Sequence, residues 1–516
     1  MLIKNGTIID GSGSKRFAAD IRIENKKIKE TGRLNNKGNE DVLDAKGLYI
    51  TPGFVDILNH SDAYATLFSN PEQESLLQQG VTTILMGNCG ASLAPLVDGV
   101  FVNSVQKWGR VSKINVNWLS VAEYLEELKK HSFGVNVATL IGHSTIRRAL
   151  SGDETRNLNN FEQKQLEYMV ETGMREGAFG VSSGLAYSHG ASATAKELRA
   201  IMGIVKSYNG LHSIHIRNDA DKFTESVKEA LSLAKETGVN TELSHFKVVE
   251  KKFWENFKGA LSLIEKLKNI NFDIYPYNFT ASVLYSFLPA WAIKNGNTSL
   301  LPAIKDKVKK AELVEDMKKD PYSYGEMTVA MGSIANTYFG RKIADIAKNQ
   351  EKEVEEVVLD LILASHNRLI VFSPSIDESN IELAIKNPKS FVSSDGVGYK
   401  EENRIEAGFA HPRYFGAFPK FLNEYVYNKK LISWEEAINK ITLGPAQKIG
   451  LKDRGKIEKG YFADLVIFNP KKLQSNSDLN NPYQYPSGIH WVLVNGQVAI
   501  KDKKLKSKAG TVLIRK

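Results

Sequence analysis

Apolar positions along the chain follow two rhythms. Between about 52 and 450, short apolar runs alternate with stretches in which apolar residues recur every three or four positions. The runs GFVDIL, VTTILMG, VNVATLIG, GAFGVSSG, LHSIHIR, NTELSHF, INFDIYPY and FVSSD read as buried strands. The stretches FEQKQLEYMVETGMREG, TAKELRAIMGIVKSY, FTESVKEALSLAKETG and FWENFKGALSLIEKLKN read as amphipathic helices. Strand then helix, repeated about eight times, predicts a (β/α)8 TIM-like barrel over residues 52–450. The stretch from about 283 to 345 is too long for an ordinary strand-to-helix loop and predicts an inserted subdomain over the site. The chain ends differ from the middle. Residues 1–51 and 451–516 hold short alternating runs, with tight-turn candidates at Asn5-Gly6, Asn25-Lys26 and Asn495-Gly496. They predict one small β-sandwich domain built from both termini.

Composition adds exclusions. The 516 residues are 42% hydrophobic and 25% charged, ordinary values for a globular protein. No run approaches the ~18 uninterrupted apolar residues of a membrane helix, so no membrane partner is expected. The start, MLIKNGTIIDGSGS, lacks the apolar core of a secretory signal, which predicts a cytoplasmic protein. The net charge of +9 is spread out. The stretch AIKDKVKKAELVEDMKKD alternates in sign and reads as one solvated helix, and the lysine-rich run from Lys501 to Lys508 lacks interleaved aromatics. Neither pattern points to nucleic acid, although a basic surface attracts small anions. The single cysteine, Cys89, rules out an intrachain disulfide.

In a strand–helix barrel, reactive side chains gather where strands end. Cys89 ends the second run, His215 and His245 end the fifth and sixth, and Asp395 ends the last. The two histidines lie one strand–helix repeat apart, on adjacent strands. Two imidazoles and a thiolate are the three protein ligands of a catalytic zinc site with a position left for water. Taken singly, each has a plainer reading: a hydrogen-bonded core histidine, a buried thiol, an aspartate capping the next helix.

The order of short motifs narrows this. TPGFVDILNHSD at 51–62, GNCG at 87–90, GHSTIRRA at 142–149 and SSGLAY at 182–187 are followed by HIRND at 215–219 and SHFK at 244–247. DIYPY at 273–277, SSDG at 393–396, HPRYFGAFP at 411–419 and ADLVIF at 463–468 complete the series. Nearly end to end, this resembles the D-aminoacylase (N-acyl-D-amino-acid deacylase) family of the amidohydrolase superfamily. The resemblance implies that Cys89, His215 and His245 hold one tightly bound zinc ion and that Asp395 is the catalytic acid/base. It points to Arg413 as the grip on the substrate carboxylate, with Lys247 and Tyr277 as helpers. The chain departs from the family at Leu58-Asn59-His60, where the family has His-x-His. Leucine cannot bind metal, so a second metal site is expected to be weak or absent. His60 keeps its place, either as a contact for substrate or the metal water, or as a packed remnant. Asp219 stands where the family usually has Glu.

The implied activity is hydrolysis of the amide bond of an N-acyl-D-amino acid, a small-molecule substrate. Two alternatives share parts of this pattern. A cyclic-amide hydrolase of the dihydroorotase or hydantoinase kind would use the same barrel and metal logic. A non-catalytic barrel scaffold would explain the loss of a ligand at Leu58, against the retention of Cys89, His215, His245 and Asp395.

Overall fold

The computed structural model describes residues 1–97, 115–152, 154–293, 297–320, 322–332, 334–402 and 408–516. It is an α/β protein in which all eight runs read as buried strands are strands. Phe54–Asp56, Val81–Met86 and Asn136–Thr139 pair in parallel. Ile141–Gly142, Gly180–Gly184, Leu211–His215, Asn240–Leu243, Ile270–Ile274 and Ser390–Val392 form a second parallel sheet in that order. Parallel strands covered on both faces have no solvent side, so near-continuous apolar and small residues mark them.

The helices between them follow their periodicity. Asn160–Arg175 starts with a capping box: the Asn159 side chain accepts the Glu162 backbone N–H, and Glu162 returns to the Asn159 N–H. Ala195–Ser207 buries Leu198, Ile201, Met202 and Val205 along one stripe. Among the described residues, no helix is long and apolar enough to cross a membrane.

The terminal runs join in one nine-stranded sheet. Its seam is the antiparallel pair Tyr49–Pro52 and Leu465–Phe468, where Ile50 faces Ile467. Buried Ile3, Ile8, Ile21, Ile50, Ile467 and Leu493 pack together on this sheet. Asn25-Lys26 and Asn495-Gly496 make the expected turns, with all four residues left-handed, a conformation that Asn and Gly tolerate.

Three local expectations are corrected. Asn5-Gly6 is a bulge inside the strand Leu2–Ile8, whose pairing shifts register between Ile3 and Gly6. The charged stretch near 303–320 is two helices, Asn297–Lys305 and Lys307–Met317, because the Asp306 carboxylate caps the second. The last run, GTVLIRK, leaves the terminal sheet: Gly510 bridges Phe133 and Val512 bridges Val137, beside the strand Asn136–Thr139.

Between Ile270–Ile274 and Ser390–Val392 the chain builds a separate antiparallel sheet. Leu369–Ser373 is its middle strand, flanked by Thr280–Val283 and Thr328–Gly332.

A buried polar knot ties the terminal sheet to the parallel strands. Asp464 pairs with Arg454, both nearly unexposed, and its carboxylate also takes the Asn136 side-chain N–H at 3.2 Å and the Asn495 backbone N–H at 2.6 Å. Removing one partner of such a pair strands a buried charge. Asp464→Ala is expected to lose about 3–5 kcal/mol of stability by denaturant unfolding. A loss under ~1 kcal/mol would mean that Arg454 finds water instead.

Candidate active site

The strand ends carry the chemistry through sharp turns. Cys89 follows Val81–Met86 by three residues, His245 follows Asn240–Leu243 by two, and Asp395 follows Ser390–Val392 by three. All three are left-handed, with φ of 53°, 35° and 44°. Such backbone costs about 1–3 kcal/mol per non-glycine residue and persists only where surrounding contacts enforce it. Small residues and hydrogen bonds supply that enforcement. Gly87 comes so close to the next strand that a Cβ there would lie 2.2 Å from the Leu140 carbonyl oxygen. Asn88 donates to the Leu85 carbonyl at 2.8 Å, and the Gly90 N–H donates to Ser182 Oγ at 2.9 Å.

The turns bring the three expected ligands together. The ligand atoms of Cys89, His215 and His245 all lie within 4.8 Å of one another, and all three residues are buried. Cys89 Sγ is 3.4 Å from His245 Nε2, and the two imidazole rings stand edge to face with centroids 4.3 Å apart. Donors that share one ion at about 2.0–2.3 Å are separated by such distances. The electrostatics suit a cation. Burial pushes His215 down to about 4 and His245 well below its ordinary value, so both rings are neutral and keep a lone pair. Burial pushes the Cys89 thiol well up, with Asp395 adding to the shift, so the thiolate needs a positive ion to form here.

Asp395 sits beside this group. Its Oδ1 is 3.0 Å from His60 Nε2, and its Oδ2 is 2.9 Å from Arg413 Nη1. Burial works to raise the Asp395 carboxyl, but Arg413 and then His60 outweigh it and hold it below its ordinary value. It is therefore a carboxylate at neutral pH. Arg413 opens the helix Arg413–Lys420, and its guanidinium lies 4.6 Å from the Tyr275 ring centre. The contact with Asp395 is an ion pair, since neither Nε nor Nη1 has a hydrogen-bond partner among the described residues. Lys247 Nζ pairs with Asp219 at 2.8 Å and lies 3.2 Å from His245 Nδ1. Asp219 also comes within 3.7 Å of His215 Nε2.

Two buried acids lie next to Asp395. Burial pushes Asp56 up to about 6 and Asp273 up to about 8, against the hydrogen bonds each receives.

Cys89, His215, His245, His60, Lys247, Asp395 and Arg413 line one cavity of about 1110 Å³. Part of its wall comes from Thr280–Val283 and the residues that follow, including Tyr285 and Leu288. Tyr277 is not brought there. The Tyr277 N–H bonds back to the Tyr275 carbonyl at 2.9 Å, a tight turn that breaks the strand alternation. Its ring stands edge-on to His411 and under the Lys420 ammonium. Tyr275, missed in the sequence, is the tyrosine that meets Arg413. The motif DIYPY offers both tyrosines, and alternation alone does not choose between them. Leu58 is buried and does not line the cavity.

Comparison with known proteins agrees with this geometry. The amidohydrolase family profile matches residues 41–292 and 379–500, omitting most of the separate antiparallel sheet. The chain is 28% identical to a D-aminoacylase of Alcaligenes xylosoxydans xylosoxydans, over all of this chain and 97% of that one. It is similar to the crystal structure of an N-acyl-D-glutamate deacylase from Bordetella bronchiseptica, complexed with zinc and a phosphonate mimic of the tetrahedral intermediate. The TM-score is 0.83 at 26% identity, with 99% of each chain covered. A solved D-aminoacylase, described as having a binuclear centre with one-metal activation and second-metal attenuation, has a TM-score of 0.84. It is 26% identical, with 100% of this chain and 99% of that one covered. A profile match over most of the length, with a polar cluster at the strand ends, leads to one assignment: the chain belongs to the amidohydrolase family.

Proposed function

We propose that the chain hydrolyses the amide bond of N-acyl-D-amino acids and uses one zinc ion held by Cys89, His215 and His245. One observation carries this reading: a thiol and two neutral imidazoles converge within 4.8 Å, beside an ionised Asp395, in a cavity large enough for a small ligand. When bound, zinc supplies a Lewis acid for the amide carbonyl and lowers the pKa of a coordinated water. The zinc and the D-amino-acid amide are carried over from the deacylases that the chain resembles over its full length.

The chain's own residues do the rest. Asp395, held as a carboxylate by Arg413 and His60, accepts a proton from the attacking water and passes it to the departing amine nitrogen. His60, at 3.0 Å from Asp395, orients that carboxylate. Arg413 pairs with Asp395 and lines the cavity with guanidinium N–H groups at Nε and Nη1 that have no hydrogen-bond partner among the described residues, donors suited to a substrate carboxylate. Lys247 adds a second positive charge, balanced by Asp219.

Leu58 puts a buried hydrocarbon where the family has a ligand, so we read the site as mononuclear. We read residues 52–450 as a closed barrel. The eight runs form parallel strands, the third broken at Leu140 into Asn136–Thr139 and Ile141–Gly142, Asn59 bridges Gly396 in parallel across the gap between first and last, and Val55, Leu85, Leu140, Phe179, Leu211 and Phe391 share one buried cluster. We read 1–51 and 451–516 as a sandwich, because Lys27 at one end of the sheet path bridges Phe462 beside its middle. We read the inserted piece, about 283–345, as lying over the site, because its residues Tyr285, Leu288 and Tyr322 line the cavity.

Metal and turnover separate in two variants. Asp395→Asn is expected to lose about 10²–10⁴-fold in kcat while retaining one zinc per chain by elemental analysis. Cys89→Ala is expected to lose both zinc and turnover. Near-normal turnover in Asp395→Asn contradicts the acid/base role, and two zinc ions per chain contradict the mononuclear reading. N-acetyl-D-amino acids are expected to be cleaved in preference to their L enantiomers, hydantoins and dihydroorotate. Faster turnover of a cyclic amide overturns the linear-amide reading.

A further inference from the structure

The turn that presents Asp395 is gripped from both sides. Asp395 is left-handed and is preceded by two serines, Ser393 and Ser394, each fully buried. Ser393 Oγ donates to Asp273 Oδ1 at 2.5 Å. Ser394 gives its backbone N–H to Asp56 Oδ1 at 2.8 Å and its hydroxyl to Asp56 Oδ2 at 2.5 Å. The same Asp56 Oδ2 takes the Asn59 side-chain N–H at 3.0 Å. Asp273 belongs to Ile270–Ile274, paired with the strand that leads to Asp395. Asp56 belongs to Phe54–Asp56, whose continuation bridges Gly396 through Asn59. Acids from two flanking strands thus hold successive residues of one turn.

We infer that Asp56 and Asp273 are positioning residues that lock the Ser393–Ser394 turn and so fix Asp395 between His60 and Arg413. Both acids are fully buried, where an amide or alcohol would cost less to desolvate. A carboxylate offers two acceptor oxygens, and Asp56 uses both on three donors. The Gly396 N–H closes onto Ser394 Oγ at 3.0 Å, and the His60 N–H donates to the Gly396 carbonyl at 2.8 Å. The clamp therefore sets Asp395 and His60 together. A left-handed aspartate left unclamped would relax toward ordinary backbone and carry its carboxylate off the reacting amide.

This inference rests on the reading of Asp395 as the acid/base, so its test runs beside Asp395→Asn in the zinc-loaded protein. Asp273→Ala and Ser393→Ala remove the same hydrogen bond from opposite ends. Each is expected to lower kcat about 10–100-fold, with KM and zinc content within about twofold. The double variant is expected to be no worse than the poorer single one. Asp273→Asn, which keeps an acceptor for Ser393, is expected to recover most of kcat. Unchanged kcat in Ser393→Ala with an inactive Asp395→Asn overturns this inference alone. A kcat loss in proportion to lost zinc or lost folded protein also overturns it, in favour of a structural role. An active Asp395→Asn overturns the acid/base reading and this inference together.

Discussion

A carboxylate, a thiol and two imidazoles share one buried cavity, and such a group is stable only if opposite charge offsets its desolvation. Arg413 does this for Asp395, and Lys247 does it for Asp219. Cys89, with neutral rings as neighbours and its thiol pushed up by burial, has Lys247 as a nearby cation, but Asp219 already pairs with that lysine. A divalent ion on Sγ and two ring nitrogens completes the balance. The proposed zinc thus fits the charges of the site as well as its geometry.

Holding those groups close has a backbone cost. Three site residues are left-handed, and the turns of Cys89 and Asp395 are fastened by small residues and buried hydrogen bonds. Gly87, Ser182, Ser393 and Ser394 are these fasteners. Their small size lets the strand ends approach, and the three serine hydroxyls take up polar groups that water cannot reach. The opposite end of the strands is spent on stability, through the knot of Arg454, Asp464, Asn495 and Asn136.

Much of this was legible in the sequence. All eight parallel strands were readable because burial on both faces writes an unbroken apolar run. Cys89, His215, His245 and Asp395 were readable because a polar residue at the end of such a run has few structural reasons to be there. What was not legible depends on tertiary pairing. Asn5-Gly6 has turn composition, yet strand pairing on both sides makes it a bulge. Tyr275 and Tyr277 fall on the same alternate positions after the strand, and one backbone hydrogen bond decides which meets Arg413. The C-terminal run has strand character but pairs beside Asn136–Thr139, because the side chain of Asn136 accepts from Thr511 and Asn495. Asp56 and Asp273 sit inside apolar runs, and their serine partners are more than a hundred residues away in the chain.

The central claim is that one sulfur and two ring nitrogens bind the same ion. X-ray absorption at the zinc edge of the purified protein tests it most directly. The account predicts one sulfur at about 2.3 Å and two nitrogens at about 2.0–2.1 Å, with light-atom scattering from water filling the shell. A zinc shell without sulfur would contradict it.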